Sequence, residues 1–280
     1  MLRLLVLGNS GNPAVPGAVE RLETWARGKA KIVAVDLEGT LDLTDVVADL
    51  AVIFGGDGSI LGAARRLYGK SITAVGVNFG KFGFLAEIRA GELEQAFERL
   101  LAGEFVERQR MRLLVRIRRP DGSFDECSAL NECVLASGRL SRMVHVRLRV
   151  DDQEATTYAG DGLIVATPVG STAHSLAAGG PIVSPMLDAF VLTPIAPHSL
   201  TNRALVIPPD RRIELYLEPT GGDGAVSLDG QVNFRFDCND RLEIERSPEP
   251  FRVWRTTERT WYEILRSRLF WRGTPNYADI

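Results

Sequence analysis

The 280-residue chain has only three cysteines, Cys127, Cys133 and Cys238, and no C-x-x-C pair. An odd count without that spacing argues against a disulfide framework and against a thiolate zinc site. The three histidines, His145, His174 and His198, lie far apart and form no spacing typical of a metal site. No apolar run approaches the ~18 residues of a membrane span. The short run Leu2–Leu7 stops at Gly8-Asn9 with no small-residue cleavage site, so it reads as a buried first strand and not as a secretory signal. A cytoplasmic location is expected. Charge of one sign is also lacking: 33 Lys and Arg face 36 Asp and Glu. The balance gives no reason to expect nucleic acid or a membrane surface as a partner. Three common motifs are missing as well. There is no G-x-G-x-x-G fingerprint, no G-x-x-x-x-G-K-[ST] loop and no G-x-S-x-G elbow, which disfavours a Rossmann dehydrogenase, a P-loop NTPase and a serine hydrolase.

What is present is two kinds of pattern in succession. Over the first hundred residues, short apolar runs (2–7, 31–35, 50–54, 72–77) alternate with helical patterns (14–27, 60–67, 92–101). Continuous apolar strands separated by helices indicate a parallel sheet covered on both faces. After Gly103 the runs become short and β-like: 105–119, 127–136, 144–150, 162–167, 204–207, 212–217, 225–228, 233–236, 241–245 and 252–254. Turn signals such as Pro120-Asp121-Gly122 and Pro208-Pro209-Asp210 separate them, as in a sandwich. The expected fold class is therefore α/β plus all-β. Its parts are a parallel-sheet α/β domain over 1–103, a β-sandwich nucleotide-binding domain over 104–255 and a C-terminal segment over 256–280. An amphipathic helix near 260–271 would pack back on the first domain.

Four stretches carry candidate chemistry. Gly55-Gly56-Asp57-Gly58 ends an apolar run and opens a helical pattern. Glycines there let a phosphate chain approach unhindered N–H groups. Asp57 could accept a proton beside such a chain, or could simply cap the helix. Gly76–Leu85 is a second glycine-rich loop after a strand, serving either a ligand or a plain connection. Asn131-Glu132 interrupts an apolar run. Buried, the pair needs partners and suits ribose hydroxyls; on an edge strand it needs none. Tyr158–Ile182 holds a strand, a Pro/Gly turn, Ser171-Thr172 at an expected helix start and a stop at Gly179-Gly180-Pro181. Its small side chains would let a flat ring lie against it, with His174 stacking or packing.

Taken together, these stretches resemble bacterial NAD kinases. The order is Gly55-Gly56-Asp57-Gly58, Asn78-x-Gly80-x-x-Gly83-Phe84-Leu85, Asn131-Glu132, Asp161–Ala173, Gly179–Ile182, Pro197–Leu200 and Asp229-Gly230-Gln231. The first motif alone also occurs in diacylglycerol, sphingosine and 6-phosphofructo-kinases; the stretch around Gly170-Ser171-Thr172 is what the lipid kinases lack. The resemblance implies phosphorylation of the adenosine-ribose 2′-hydroxyl of NAD, giving NADP. ATP or polyphosphate would be the donor, with a divalent metal, Mg²⁺ by expectation. It implies Asp57 as proton acceptor with Gly58 in the same loop, and Asn131 and Glu132 on ribose hydroxyls. Thr172, Ala173, His174, Ser175, Leu176 and Ala177 would line the adenine site. Arg142, Asp161 and Gln231 would make further nucleotide contacts, and no metal ligand is assigned. Family members usually form homodimers or homotetramers. The chain departs from the pattern at Ser59 (commonly Thr), His174 (usually Tyr), Ala159, Arg142 and Asn202-Arg203. These changes leave the reaction class alone and bear on NAD against NADH preference and on feedback by NADP(H).

Overall fold

The computed structural model describes residues 1–80, 83–138, 143–199, 201–219, 223–256, 260–269 and 271. The first part runs β1 (Leu2–Leu7), α1 (Val15–Ala26), β2 (Ala30–Asp36), β3 (Leu50–Phe54), α2 (Asp57–Arg66), β4 (Thr73–Asn78), β5 (Ile88–Arg89), α3 (Leu93–Leu101) and β6 (Phe105–Arg110). Strands β1 to β4 are parallel in the order β2-β1-β3-β4, with β5 also on β4. Alternate residues serve opposite faces, which is why the strands read as unbroken apolar runs. Leu4, Val6, Val52 and Phe54 pack under α1 and α3. Leu5, Leu7, Ala51 and Ile53 pack under α2. The chain moves from β1 to one neighbour, β2, and then to the other, β3. A crevice opens at the carboxyl ends where such an order reverses.

The second part runs β7 (Leu113–Arg118), β8 (Phe124–Ala129), β9 (Glu132–Ser137), β10 (Val144–Val150), β11 (Gln153–Gly160), β12 (Gly162–Ala166), α4 (His174–Ala177), β13 (Phe190–Ile195), β14 (Leu205–Ile207), β15 (Ile213–Leu217), β16 (Gly224–Leu228), β17 (Val232–Phe236) and β18 (Arg241–Arg246). β19 (Phe251–Thr256) and α5 (Trp261–Arg268) follow. Two six-stranded antiparallel sheets, β11-β10-β15-β18-β7-β8 and β14-β13-β12-β9-β16-β17, form the sandwich. Leu113, Val115, Val146, Leu148, Leu163, Val165, Phe190 and Phe236 fill the space between them.

Three expectations need correction. The run 105–119 is two strands in different sheets, because the chain crosses between domains at Met111-Arg112. At that crossing the buried Arg112 donates to the Ala64 carbonyl (2.5 Å) and stacks on Tyr68 and Phe251. The run 127–136 likewise divides, β8 going to one sheet of the sandwich and β9 to the other. Finally, β6 and β19 fall inside 104–255 yet complete the first sheet, β19 pairing parallel to β4 and antiparallel to β6. The sandwich strands thus span Leu113–Arg246. Helix α5 opens with a capping box between Thr260 and Glu263. Its Trp261 lines a cavity with Ile60 and Phe84 of the first domain, so the described helix lies against that domain; residues 257–259, 270 and 272–280 of the expected segment lie outside the described residues.

Candidate active site

The loop after β3 is built around its glycines. Gly55 has φ 148°, and a Cβ there would lie 2.1 Å from Ser59 Oγ. Helix α2 begins earlier than its apolar pattern suggested: Gly56 is the N-cap and Asp57 the first helical residue. Asp57 therefore does not cap the helix. Its half-buried carboxylate reaches the second glycine loop instead, accepting the Phe84 N–H at Oδ2 (2.8 Å) and the Leu85 N–H at Oδ1 (3.1 Å). Gly83 makes this possible, since a Cβ there would sit 1.8 Å from Asp57 Oδ1. Lys81 and Phe82 of that loop, and Arg142, lie outside the described residues.

The loop stands between two cavities. One, of about 410 Å³, is lined by Ile60, Phe84, Leu85, Val169, Thr172, Met186 and Trp261, with Arg108, Arg110 and Arg255 among them. Burial chiefly, with repulsion from Arg255 and Arg108, lowers the Arg110 guanidinium to about 10. Arg255 pairs with the buried Glu87 (3.1 Å). The other cleft, about 710 Å³, lies at the carboxyl ends of β1, β2 and β3, where the strand order reverses. Its walls include Gly8, Asn9, Gly39, Gly56, Gly58, Ser59, Arg65 and Arg66. Asp36 shapes it: the carboxylate accepts the N–H groups of Glu38, Gly39, Thr40 and Leu41 and holds Arg66 at 2.5 Å. Burial alone would raise its pKa, but Arg66 and these N–H groups bring it below the usual range.

Asn131 and Glu132 are both buried, at the bend between β8 and β9. Among the described residues, Asn131 Oδ1 and Glu132 Oε2 are buried without a hydrogen-bond partner. Burial, with the Asp229 charge adding to it, pushes the Glu132 carboxyl up to about 8. Burial thus favours the protonated acid, which can donate as well as accept a hydrogen bond. The Asn131 carbonyl accepts the Thr167 N–H (2.8 Å). A Cβ on Gly170 would meet that carbonyl oxygen at 2.1 Å, so the pair and the Gly170 turn are in close contact.

After β12 the chain makes a 3₁₀ turn at Gly170–Thr172 and then the four-residue α4. The hydroxyls do not cap this helix. Ser171 Oγ donates to the Pro168 carbonyl and Thr172 Oγ1 to the Val169 carbonyl, while Thr172 also faces the arginine-lined cavity. His174 and Ala177 are exposed, Ala173 and Leu176 half-buried. Ser175 is buried with its hydroxyl against Thr193 Oγ1 (2.8 Å). Asp161 is exposed in the bend between β11 and β12 and lines neither cavity. Gln231 lines the second cleft and donates to the Gly58 carbonyl (2.7 Å). The structure thus gathers Asp57, Gly58 and Gln231, and sets Asn131-Glu132 against the turn leading to Thr172. Sequence reasoning gave no role to Asp36 or Arg255, named Asp229 only within the Asp229-Gly230-Gln231 motif, and read the arginine run 108–119 as a strand with a solvated face, whereas Arg108 and Arg110 line the cavity.

Residues 17–105 match a family model described as the ATP-NAD kinase N-terminal domain, and residues 130–256 the ATP-NAD kinase C-terminal domain. The chain is 36% identical over 281 residues to the NAD kinase of Geotalea daltonii, covering 97% of this chain and 99% of that one. Its fold is similar to an NAD kinase from Archaeoglobus fulgidus in complex with ATP (TM-score 0.77, 29% identity, 95% of this chain and 99% of the other). It is also similar to yeast NADH kinase complexed with NADH (TM-score 0.87, 22% identity, 98% and 89%), a likeness of fold. On full-length similarity at this level, the chain belongs to the NAD kinase family.

Proposed function

We propose that the chain phosphorylates NAD to NADP at the loop 56–60, with the dinucleotide in the arginine-lined cavity and the donor phosphates in the cleft across the loop. The observation behind this is the partition itself. Ile60 and the Asp57-bound Phe84 and Leu85 face one space; Gly56, Gly58 and Ser59 face the other. Apolar walls with three arginines suit rings joined by a pyrophosphate. Glycine N–H groups, a helix start and Arg65 and Arg66 suit a phosphate chain.

Asp57 takes the proton from the adenosine-ribose 2′-hydroxyl as that oxygen bonds to the terminal phosphorus. The bond from phosphorus to its bridging oxygen breaks, and the diphosphate leaves with the electron pair. Such transfer requires chiefly positioning and charge neutralisation. The two orphaned atoms on Asn131 and Glu132 suit ribose hydroxyls, and Thr172, which lines the cavity, opens the stretch that would take the adenine. Among the described residues no three His, Cys, Asp or Glu side chains converge on a metal position. A magnesium ion would be held mainly by donor phosphates and water, with Asp57 the carboxylate of the loop. Bound there, it would neutralise phosphate charge. ATP is the donor in this reading, with polyphosphate as a substitute. A homodimer or homotetramer in the cytoplasm remains part of the proposal; the exposed Leu205 and Val206 on edge strand β14 fit a self-association surface. The test is incubation of the chain with NAD, Mg²⁺ and either ATP or polyphosphate, reading NADP with an NADP-specific dehydrogenase. NADP should accumulate with ATP; no NADP with any donor overturns the proposal.

A further inference from the structure

The β16–β17 hairpin turn, Asp229-Gly230-Gln231, holds both halves of the site through protein contacts alone. Asp229 is buried and left-handed (φ 52°), and Gly230 follows at φ 64°. Aspartate tolerates that conformation better than most side chains. Its Oδ1 accepts the N–H groups of Asn131 (2.7 Å) and Glu132 (3.1 Å), and its Oδ2 accepts that of Leu130 (2.9 Å). Its own N–H returns to the Glu132 carbonyl (3.0 Å). One carboxylate thus fixes the bend that presents Asn131 and Glu132.

Two residues on, the Gln231 amide is committed at both ends. Nε2 donates to the Gly58 carbonyl (2.7 Å), and Oε1 accepts from Arg65 Nη1 (3.0 Å). Gly58 follows Asp57 in the catalytic loop, and Arg65 lies on the same helix, α2. The side chain reaches α2 over bare backbone, since a Cβ on Gly62 would lie only 3.4 Å from Gln231 Oε1. The turn belongs to the sandwich and α2 to the first domain, and paired domains move relative to one another unless something restrains them.

We infer that the Asp229–Gln231 turn is a clamp that sets Asn131 and Glu132 in register with Asp57, and that Gln231 is a positioning residue acting through Gly58 and Arg65. This rests on Asp57 and the Asn131-Glu132 pair acting as proposed above. Misplacement of reacting groups by about 1 Å can cost roughly 10²-fold in rate, so loss of the clamp acts on turnover more than on affinity.

The test is steady-state kinetics of the full chain with NAD, ATP and Mg²⁺, together with calorimetric NAD binding and thermal melting. Gln231→Leu keeps the size and removes both hydrogen bonds. Its kcat should fall by about 10- to 100-fold while KM and Kd for NAD stay within about threefold and Tm is nearly unchanged. Asp229→Asn, which keeps one acceptor oxygen, should lower kcat less, by about three- to tenfold. If Asp229→Asn fails to fold, Gln231→Leu alone decides. A raised KM and Kd for NAD with kcat intact in Gln231→Leu would make Gln231 a nucleotide contact and overturn the clamp. Unchanged kcat and KM would overturn it too. A wild-type chain that makes no NADP would strike the underlying assignment, and the clamp with it.

Discussion

Glu132→Gln should make the protein more stable at alkaline pH. The wild-type side chain is 6% exposed, and its Oε2 lacks a partner among the described residues. Burial, then the Asp229 charge, raises its pKa from the ordinary 4.5 to about 8. In the unfolded chain the same carboxyl titrates near its ordinary value. The folded form binds the proton more tightly, so its stabilising effect is complete below pH 4.5 and is lost as pH rises through about 8. At ~1.4 kcal/mol per pH unit, that window is worth on the order of 5 kcal/mol as a ceiling. Relaxation around the Glu132–Asp229 pair reduces it, so about 2–4 kcal/mol should be measured. Glutamine keeps the shape and does not titrate. Urea unfolding of both proteins from pH 5 to pH 9, at one protein concentration, reads the difference. The variant should gain stability relative to wild type as pH rises, most steeply between pH 5 and 8. Parallel curves, or a wild type that gains on the variant, would refute the reasoning.

Gly83→Ala places a methyl group where the Asp57 carboxylate now lies, 1.8 Å from Oδ1. Turnover should fall by roughly 10²-fold with circular dichroism unchanged, and normal turnover would refute the packing argument. Asp36→Asn weakens the hold on residues 38–41 and on Arg66 in the donor cleft. KM for ATP should rise about tenfold, ~1.4 kcal/mol, with KM for NAD unchanged. A rise confined to NAD would move the donor elsewhere.

The parallel half was legible because buried strands of a doubly covered sheet are apolar at every position, as in β3, where all five residues are buried. The sandwich was harder to divide. An apolar run does not record which sheet takes it, so the changes of sheet at Met111-Arg112 and Leu130-Asn131 were invisible. Two strands had weak signals: β11 is mostly polar on a sheet edge, and β13 carries Pro194. Asp57 and the Asn131-Glu132 pair stood out because each is polar within an apolar or glycine setting. Asp36 and Arg65 act through contacts 30 and 166 residues away, which no local pattern encodes, and the Asp229-Gly230 turn gave no sign of its partner 98 residues away.

The central claim is that Asp57 receives the ribose proton. Asp57→Asn, assayed in a single turnover with NAD, ATP and Mg²⁺ alongside calorimetric NAD binding, tests it most directly. The account predicts NAD affinity close to wild type and an NADP-forming step slower by about 10²–10⁴-fold. An Asp57→Asn variant that forms NADP at nearly the wild-type rate would contradict it.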